Sequence, residues 1–147
     1  METWPALVAG IGSGLVGGFY LAFSLVVMPA LRRLPGGAAA SAMIAVNRAA
    51  VRAPFLVLFF GTALACLVVV GTSLSAPGGP LRVLGALASL AGWVLTVAVN
   101  VPLNARLAGT DRRTVVWSAY ARPWTRANHL RAGLSVLGAV ALLLPLP

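Results

Sequence analysis

The side chains best able to do chemistry lie in two short polar segments of this 147-residue chain. Asn100 and Asn104 flank Pro102 and are four residues apart, so in a helix both amides lie on one face. The second segment supplies a helical series of polar and aromatic side chains with one histidine: Trp117, Tyr120, Trp124, Asn128, His129 and Arg131. Aromatic rings offer flat surfaces, while amides and a guanidinium stabilise an oxyanion. This set favours a flat, weakly acidic aromatic ligand.

Asn47 adds a third polar segment, because it lies just before the second apolar run of the chain. Polar residues near a bilayer core are costly, so the coincidence of three such segments at one depth predicts a shared pocket. Simpler roles stay open for each residue. The asparagines also suit interhelical hydrogen bonds, the rings suit an interfacial aromatic belt, and Arg131 and His129 suit polar contacts at the membrane interface.

The composition argues against several kinds of chemistry. The two carboxylates, Glu2 and Asp111, lie outside the apolar segments, which argues against a carboxylate proton relay. One histidine and one cysteine, Cys66, are too few for a zinc or copper site, so we assign no metal ligands. A haem with His129 as its single axial ligand stays open. We find no phosphate-binding glycine loop and no Ser-His-acid set in the sequence.

The same composition predicts the elements that must position these residues. Apolar residues make up 60% of the chain and charged residues 9%, which argues against soluble and nucleic-acid-binding classes. Apolar segments cover about residues 5–31, 54–75, 81–103 and 124–146, and about 20 residues cross a bilayer as a helix. We therefore predict an all-α integral membrane protein: one domain over residues 1–147, with four transmembrane helices in a bundle.

The arginines predict how this bundle is oriented. Of eleven basic residues, all arginines, ten fall in the connections between spans one and two and between spans three and four or at the entry of span four, and only Arg82 lies elsewhere. By the positive-inside rule these connections are cytoplasmic in a plasma membrane of bacterial type, and both termini lie outside. Residues 38–52 have a helical composition that ends before Pro54, so the first of these connections is predicted to contain an amphipathic helix.

The chain resembles the DUF1772, or anthrone oxygenase-like, family over essentially its whole length. The motifs that carry the resemblance are a glycine-rich first span ending in Met28-Pro29, then Asn47 ahead of Pro54-Phe55, Asn100-Val101-Pro102-Leu103-Asn104, Trp117, Trp124 and Asn128-His129-Leu130-Arg131. The resemblance implies a small four-helix membrane protein. Some members of the family oxidise an anthrone to an anthraquinone with molecular oxygen and no known organic cofactor.

This resemblance leads to a specific hypothesis, a cofactor-independent oxygenase of anthrone-like or other phenolic aromatic polyketide substrates, with O2 as co-substrate. His129, the side chain with a near-neutral pKa, is expected to be the base or a hydrogen-bond partner of the substrate. Arg131 is expected to stabilise the oxyanion. The supporting residues are the amides Asn100, Asn104 and Asn128 and the slot-lining residues Trp117, Tyr120 and Trp124, with Asn47 also facing the substrate.

Two other classes stay open from the sequence. One is a non-catalytic assembly or ligand-binding protein whose polar residues only hold helices together. The other is a haem or metal redox protein that uses His129. Transport is less favoured, since four short spans would need to form a homo-oligomer to enclose a path.

Overall fold

The structure, a computed structural model, describes residues 4–74 and 78–144. These residues form five helices without any strand. The helices are α1 (Trp4–Leu31), α2 (Gly36–Ala50), α3 (Ala53–Ser73), α4 (Gly79–Ala108) and α5 (Arg113–Leu143). The predicted all-helical class is confirmed.

Three of the helices in the described part of the chain are long and apolar enough to cross a membrane: α1, α3 and α4. They contain the first three predicted spans apart from residues 74 and 75: residue 74 follows the end of α3, and residue 75 lies outside the described residues. Helix α5 is not among them, because arginines and amides interrupt its apolar pattern. It begins well before the predicted position 124 and continues through Pro123, while residues 145 and 146 of the predicted fourth span lie outside the description.

The long helices pack as a ring in the order α1, α3, α4 and α5, with α1 and α4 on one diagonal. Glycines allow close approach to α5 from both of its neighbours. A Cβ atom at Gly17 of α1 would lie 3.1 Å from the Val136 side chain, and one at Gly85 of α4 would lie 2.9 Å from that of Ala141. Helix α5 therefore lies close to both neighbours, and Asn128, Arg131 and Ser135 are among its buried residues.

Helix α2 lies across the arginine-rich end of the ring and packs on α5. It confirms the helix predicted over residues 38–52 and ends before Pro54. Its apolar face includes Met43, which is fully buried in one cluster with Met28, Leu107 and Trp117. The helix thus closes one end of the interior.

Two membrane-embedded helices each widen by one π turn just before a proline. The turns cover Phe23–Val27 in α1 and Thr96–Asn100 in α4, and the resumed helices carry Pro29 and Pro102. Proline has no N–H and its ring crowds the carbonyl four residues earlier, so a wider turn relieves the conflict without ending the helix. Ser24, Thr96 and Asn100 all lie in these turns.

Candidate functional site

A cavity of about 110 Å³ lies in the arginine-rich half of the ring. All five helices contribute to its wall, for example through Tyr20, Asn47, Phe55, Asn100 and Arg131. The other aromatic side chains of the wall are Phe19, Phe23, Phe59 and Trp124. The wall of this cavity therefore combines aromatic surfaces with amides and one guanidinium.

Arg131 lines this cavity and is 5% exposed. Its Nε and Nη2 atoms donate to Asn128 Oδ1 at 3.0 and 2.7 Å, and Nη1 donates to Thr96 Oγ1 at 3.1 Å. Asn128 is itself fixed to α1, because its Nδ2 donates to the Tyr20 carbonyl at 2.8 Å and to Ser24 Oγ at 2.7 Å. The guanidinium is thus held by α1, α4 and α5 together.

The charge of Arg131 has no carboxylate partner among the described residues. Asp111, the one carboxylate in residues 4–74 and 78–144, is exposed in the connection between α4 and α5. A guanidinium carries five N–H donors, and three hydrogen bonds are formed here. A buried cation of this kind, with donors to spare at a cavity wall, is suited to an anionic ligand oxygen.

Two amides of the cavity wall also have unused hydrogen-bonding capacity. Asn100 is 1% exposed; its Nδ2 donates to the Trp124 carbonyl at 3.4 Å, while its Oδ1 is buried without a partner. Asn47 Nδ2 is likewise buried without a partner. Buried polar atoms in native proteins are nearly always paired, so such atoms at a cavity wall indicate a ligand position. The wall offers the ligand both an acceptor and donors.

Asn104 braces the other end of the cavity. Its Oδ1 accepts hydrogen bonds from Tyr120 OH at 2.8 Å and from Trp124 Nε1 at 2.9 Å. Tyr120 precedes the apolar part of α5; burial raises the pKa of its phenol, although the nearby Asn47 side chain opposes the shift. The neutral phenol can therefore keep donating to Asn104. This brace fixes the Trp124 ring at the cavity wall.

Two predicted aromatic residues do not form the slot. Trp117 and Tyr120 do not line the cavity; they lie in the cluster that α5 forms with α2. The helix α2 covers this face of α5, which the sequence periodicity alone could not show. The predicted slot is formed instead by Trp124 with phenylalanines of α1 and α3.

His129 is the predicted site residue that the structure separates most clearly from the others. It is exposed and does not line the cavity. Successive residues of a helix are about 100° apart. Asn128 and Arg131, three residues apart, therefore share the face that points inward, whereas the His129 side chain points away from it. The expected role of His129 as a base at the ligand therefore has no geometric support. Asn47, Asn100, Asn104, Trp124 and Arg131 do meet at one cavity.

The sequence analysis missed three residues that organise the site, Tyr20, Ser24 and Thr96. Tyr20 OH and Thr96 Oγ1 are 3.1 Å apart, and Thr96 Oγ1 donates to the Gly92 carbonyl at 2.9 Å. A signal was available, because these hydroxyls interrupt otherwise apolar spans. Thr96 also precedes Asn100 by the four-residue step that separates Asn100 from Asn104.

The donor set offers little to a metal. Within residues 4–74 and 78–144, no three His, Cys, Asp or Glu side chains come together. His129 is exposed and does not line the cavity.

Comparison with known proteins adds one finding. A family model described as anthrone oxygenase matches residues 42–141. The matched region starts in α2 and ends in α5, so it includes Asn47, Asn100, Asn104 and Arg131 and leaves out the α1 part of the site. No curated protein and no solved structure matches the chain.

Proposed function

The chain belongs to the anthrone oxygenase family, and from this premise we propose that it is a membrane oxygenase that oxidises an anthrone-like or other phenolic aromatic substrate with O2. The apolar helices support an integral membrane protein. The observation that carries the proposal is the buried Arg131 guanidinium, which faces an aromatic cavity with donors to spare and no carboxylate partner.

The proposed role of Arg131 is to hold the oxygen of the ionised substrate. An anthrone becomes a good electron donor to O2 once its methylene loses a proton, because the resulting carbanion is delocalised into a phenolate oxygen. A fixed cation in a largely apolar cavity stabilises this oxyanion and so favours ionisation. Asn47 Nδ2 is a second donor for the same ligand, and Asn100 Oδ1 is an acceptor for a substrate hydroxyl.

The overall reaction needs no electron donor besides the substrate. The methylene carbon gives up two hydrogens and gains one oxygen atom as a carbonyl, and the second oxygen atom leaves as water. Among the described residues that line the cavity there is no carboxylate, imidazole or amine. We therefore assign no side chain as the base. Arg131 lowers the pKa of the substrate by stabilising its anion, and the proton passes to water.

We propose that the substrate enters sideways from the membrane. The exposed part of the cavity wall is apolar and includes Val51, which directly follows α2, and Val101 of α4; they are 66% and 51% exposed. The cavity volume is about 110 Å³, somewhat less than the roughly 150 Å³ of a dry cavity that holds benzene. A substrate ring would therefore be enclosed only in part, with the remainder of the ring system extending through this mouth.

We further propose that α5 is the fourth membrane span and that the arginine-rich connections are cytoplasmic, with both termini outside. The inward packing of Asn128 and Arg131 supports this, because it leaves residues such as Leu130 and Leu137 on the outer surface. Cysteine labelling in intact cells tests the orientation. In Thr110→Cys the new thiol should be labelled only after the cells are opened. Labelling in intact cells would show that the orientation is the opposite of the one proposed.

The experiment that tests the function is oxygen uptake by the purified protein with an anthrone as substrate. Arg131→Gln should lower kcat/KM by about 10²–10³-fold, as expected for loss of one oxyanion donor group. Arg126→Gln, which changes an exposed arginine of the same helix, is the matched control and should retain activity. Equal turnover in the wild type and the Arg131 variant would overturn the role of Arg131. Binding of an anthrone without oxygen uptake would instead assign the cavity to ligand binding.

A further inference from the structure

A second, smaller cavity lies deeper in the ring and is separate from the arginine cavity. Its volume is about 20 Å³, and α1, α3, α4 and α5 all contribute to its wall. Tyr20 and Phe59 line both cavities, so their side chains form the partition between them. The proposed oxidation does not use this inner cavity.

The inner cavity is lined by an unusual number of polar groups for the middle of a membrane protein. The hydroxyl and thiol groups of its wall belong to Ser13, Tyr20, Thr62, Cys66, Ser89 and Ser135. Ser13 Oγ and Cys66 Sγ are 3.9 Å apart, a weak hydrogen bond that partly satisfies this pair. Polar groups at this depth have no access to bulk water, so each needs a partner inside the protein.

Two polar atoms of the same wall have no such partner. Ser89 is 8% exposed, and its Oγ is buried without a hydrogen bond. Trp93 Nε1 is also buried without a hydrogen bond. An indole N–H is a donor only, whereas a serine hydroxyl both donates and accepts. A buried polar group without a hydrogen bond has lost its interactions with water and gained none in return, which destabilises the folded state. Their common position at one small cavity points to a shared partner.

We propose that the inner cavity binds one water molecule, which accepts from Trp93 Nε1 and is hydrogen-bonded to Ser89 Oγ. A buried water needs roughly 10–15 Å³ and two to four polar partners. The volume of about 20 Å³ satisfies the first requirement for a single molecule. Ser89 and Trp93 supply two partners, and Ser135 on the opposite helix lies on the same wall. This site is independent of the proposed oxygenase function.

The test is nuclear magnetic resonance of the full-length protein in detergent micelles, with 15N-labelled tryptophan. We expect a direct cross-peak between the Trp93 indole N–H and water, assigned through its disappearance in Trp93→Phe. Ala63→Val adds two methyl groups to the wall of a one-water cavity and should abolish the cross-peak. Ala53→Val, the same change at an exposed position of α3, should leave it intact.

A second variant keeps the test decisive if Ala63→Val does not fold. Ser89→Ala removes one partner of the water with little change in volume, and we expect the cross-peak to weaken several-fold. Absence of the cross-peak in the wild type would overturn the proposal and show a dry cavity. Persistence of the full cross-peak in Ala63→Val would also overturn it, because the water would then lie elsewhere. Neither result depends on whether the protein oxidises an anthrone.

Discussion

The guanidinium carbon of Arg131 lies 3.9 Å from the centre of the Tyr20 ring. A cation over an aromatic face is stabilised by about 0.5–2 kcal/mol, depending on desolvation. The ring, unlike a carboxylate, leaves the positive charge of Arg131 uncompensated. The protein therefore holds this cation through an aromatic face and neutral oxygens, and the charge stays available to a ligand.

Placing a carboxylate beside Arg131 should make its positive charge less available to the substrate. Asn128→Asp keeps an acceptor for the guanidinium but pairs its charge, so we expect kcat/KM for an anthrone to fall by about tenfold or more, the equivalent of roughly 1.4 kcal/mol. Asn128→Ala is the comparison, because it also loses the hydrogen bond to the Tyr20 carbonyl but leaves the cation unpaired. Oxygen-uptake kinetics measure both. If both variants lose the same activity, the effect is one of packing and the charge argument is incorrect.

Removal of the Asn104 brace should destabilise the fold more than removal of one of its donors. Tyr120→Phe loses one hydrogen bond, which costs about 0.5–1.5 kcal/mol, whereas Asn104→Ala leaves the Tyr120 and Trp124 donors without their acceptor at about 1–3 kcal/mol each. Thermal unfolding in detergent should therefore place the variants in the order wild type, Tyr120→Phe, Asn104→Ala. Identical midpoints for the two variants would show that the brace contributes nothing beyond one bond.

Narrowing the lateral mouth should affect substrate capture rather than chemistry. Val101→Trp places a large side chain at the exposed edge of the cavity, and we expect KM for the anthrone to rise several-fold with kcat little changed. Val94→Trp alters an exposed position of the same helix that does not line the cavity, and it should behave as the wild type. Steady-state kinetics distinguish the two parameters. An unchanged KM in Val101→Trp would place the entrance elsewhere.

His129→Ala distinguishes two expectations: the sequence predicts that His129 is a base, whereas the structure places it outside the cavity. A general base contributes about 10²–10⁴-fold to a rate, so loss of a true base would nearly abolish oxygen uptake. Because His129 is exposed and outside the cavity, we expect turnover to stay within about twofold of the wild type, within the small effect of an ordinary surface change. A fall of a hundredfold would restore His129 to the mechanism.

The sequence alone determined much of this protein. Apolar runs of about 20 residues leave the backbone no alternative to helices in a bilayer, so α1, α3 and α4 followed from composition and length. The amphipathic helix before Pro54 also followed from local pattern. Asn47, Asn100 and Arg131 were found because polar residues at membrane depth are costly and therefore few.

Only the tertiary structure decided which neighbours on α5 face inward. Asn128 and His129 are adjacent and equally polar, yet contacts with Tyr20 and Ser24 of α1 orient Asn128 into the ring and leave His129 outside. Trp117 likewise packs against helix α2 and does not line the cavity. Helical periodicity gives the angle between two side chains, but the direction of the interior depends on which helices pack around them, and that is set by distant residues.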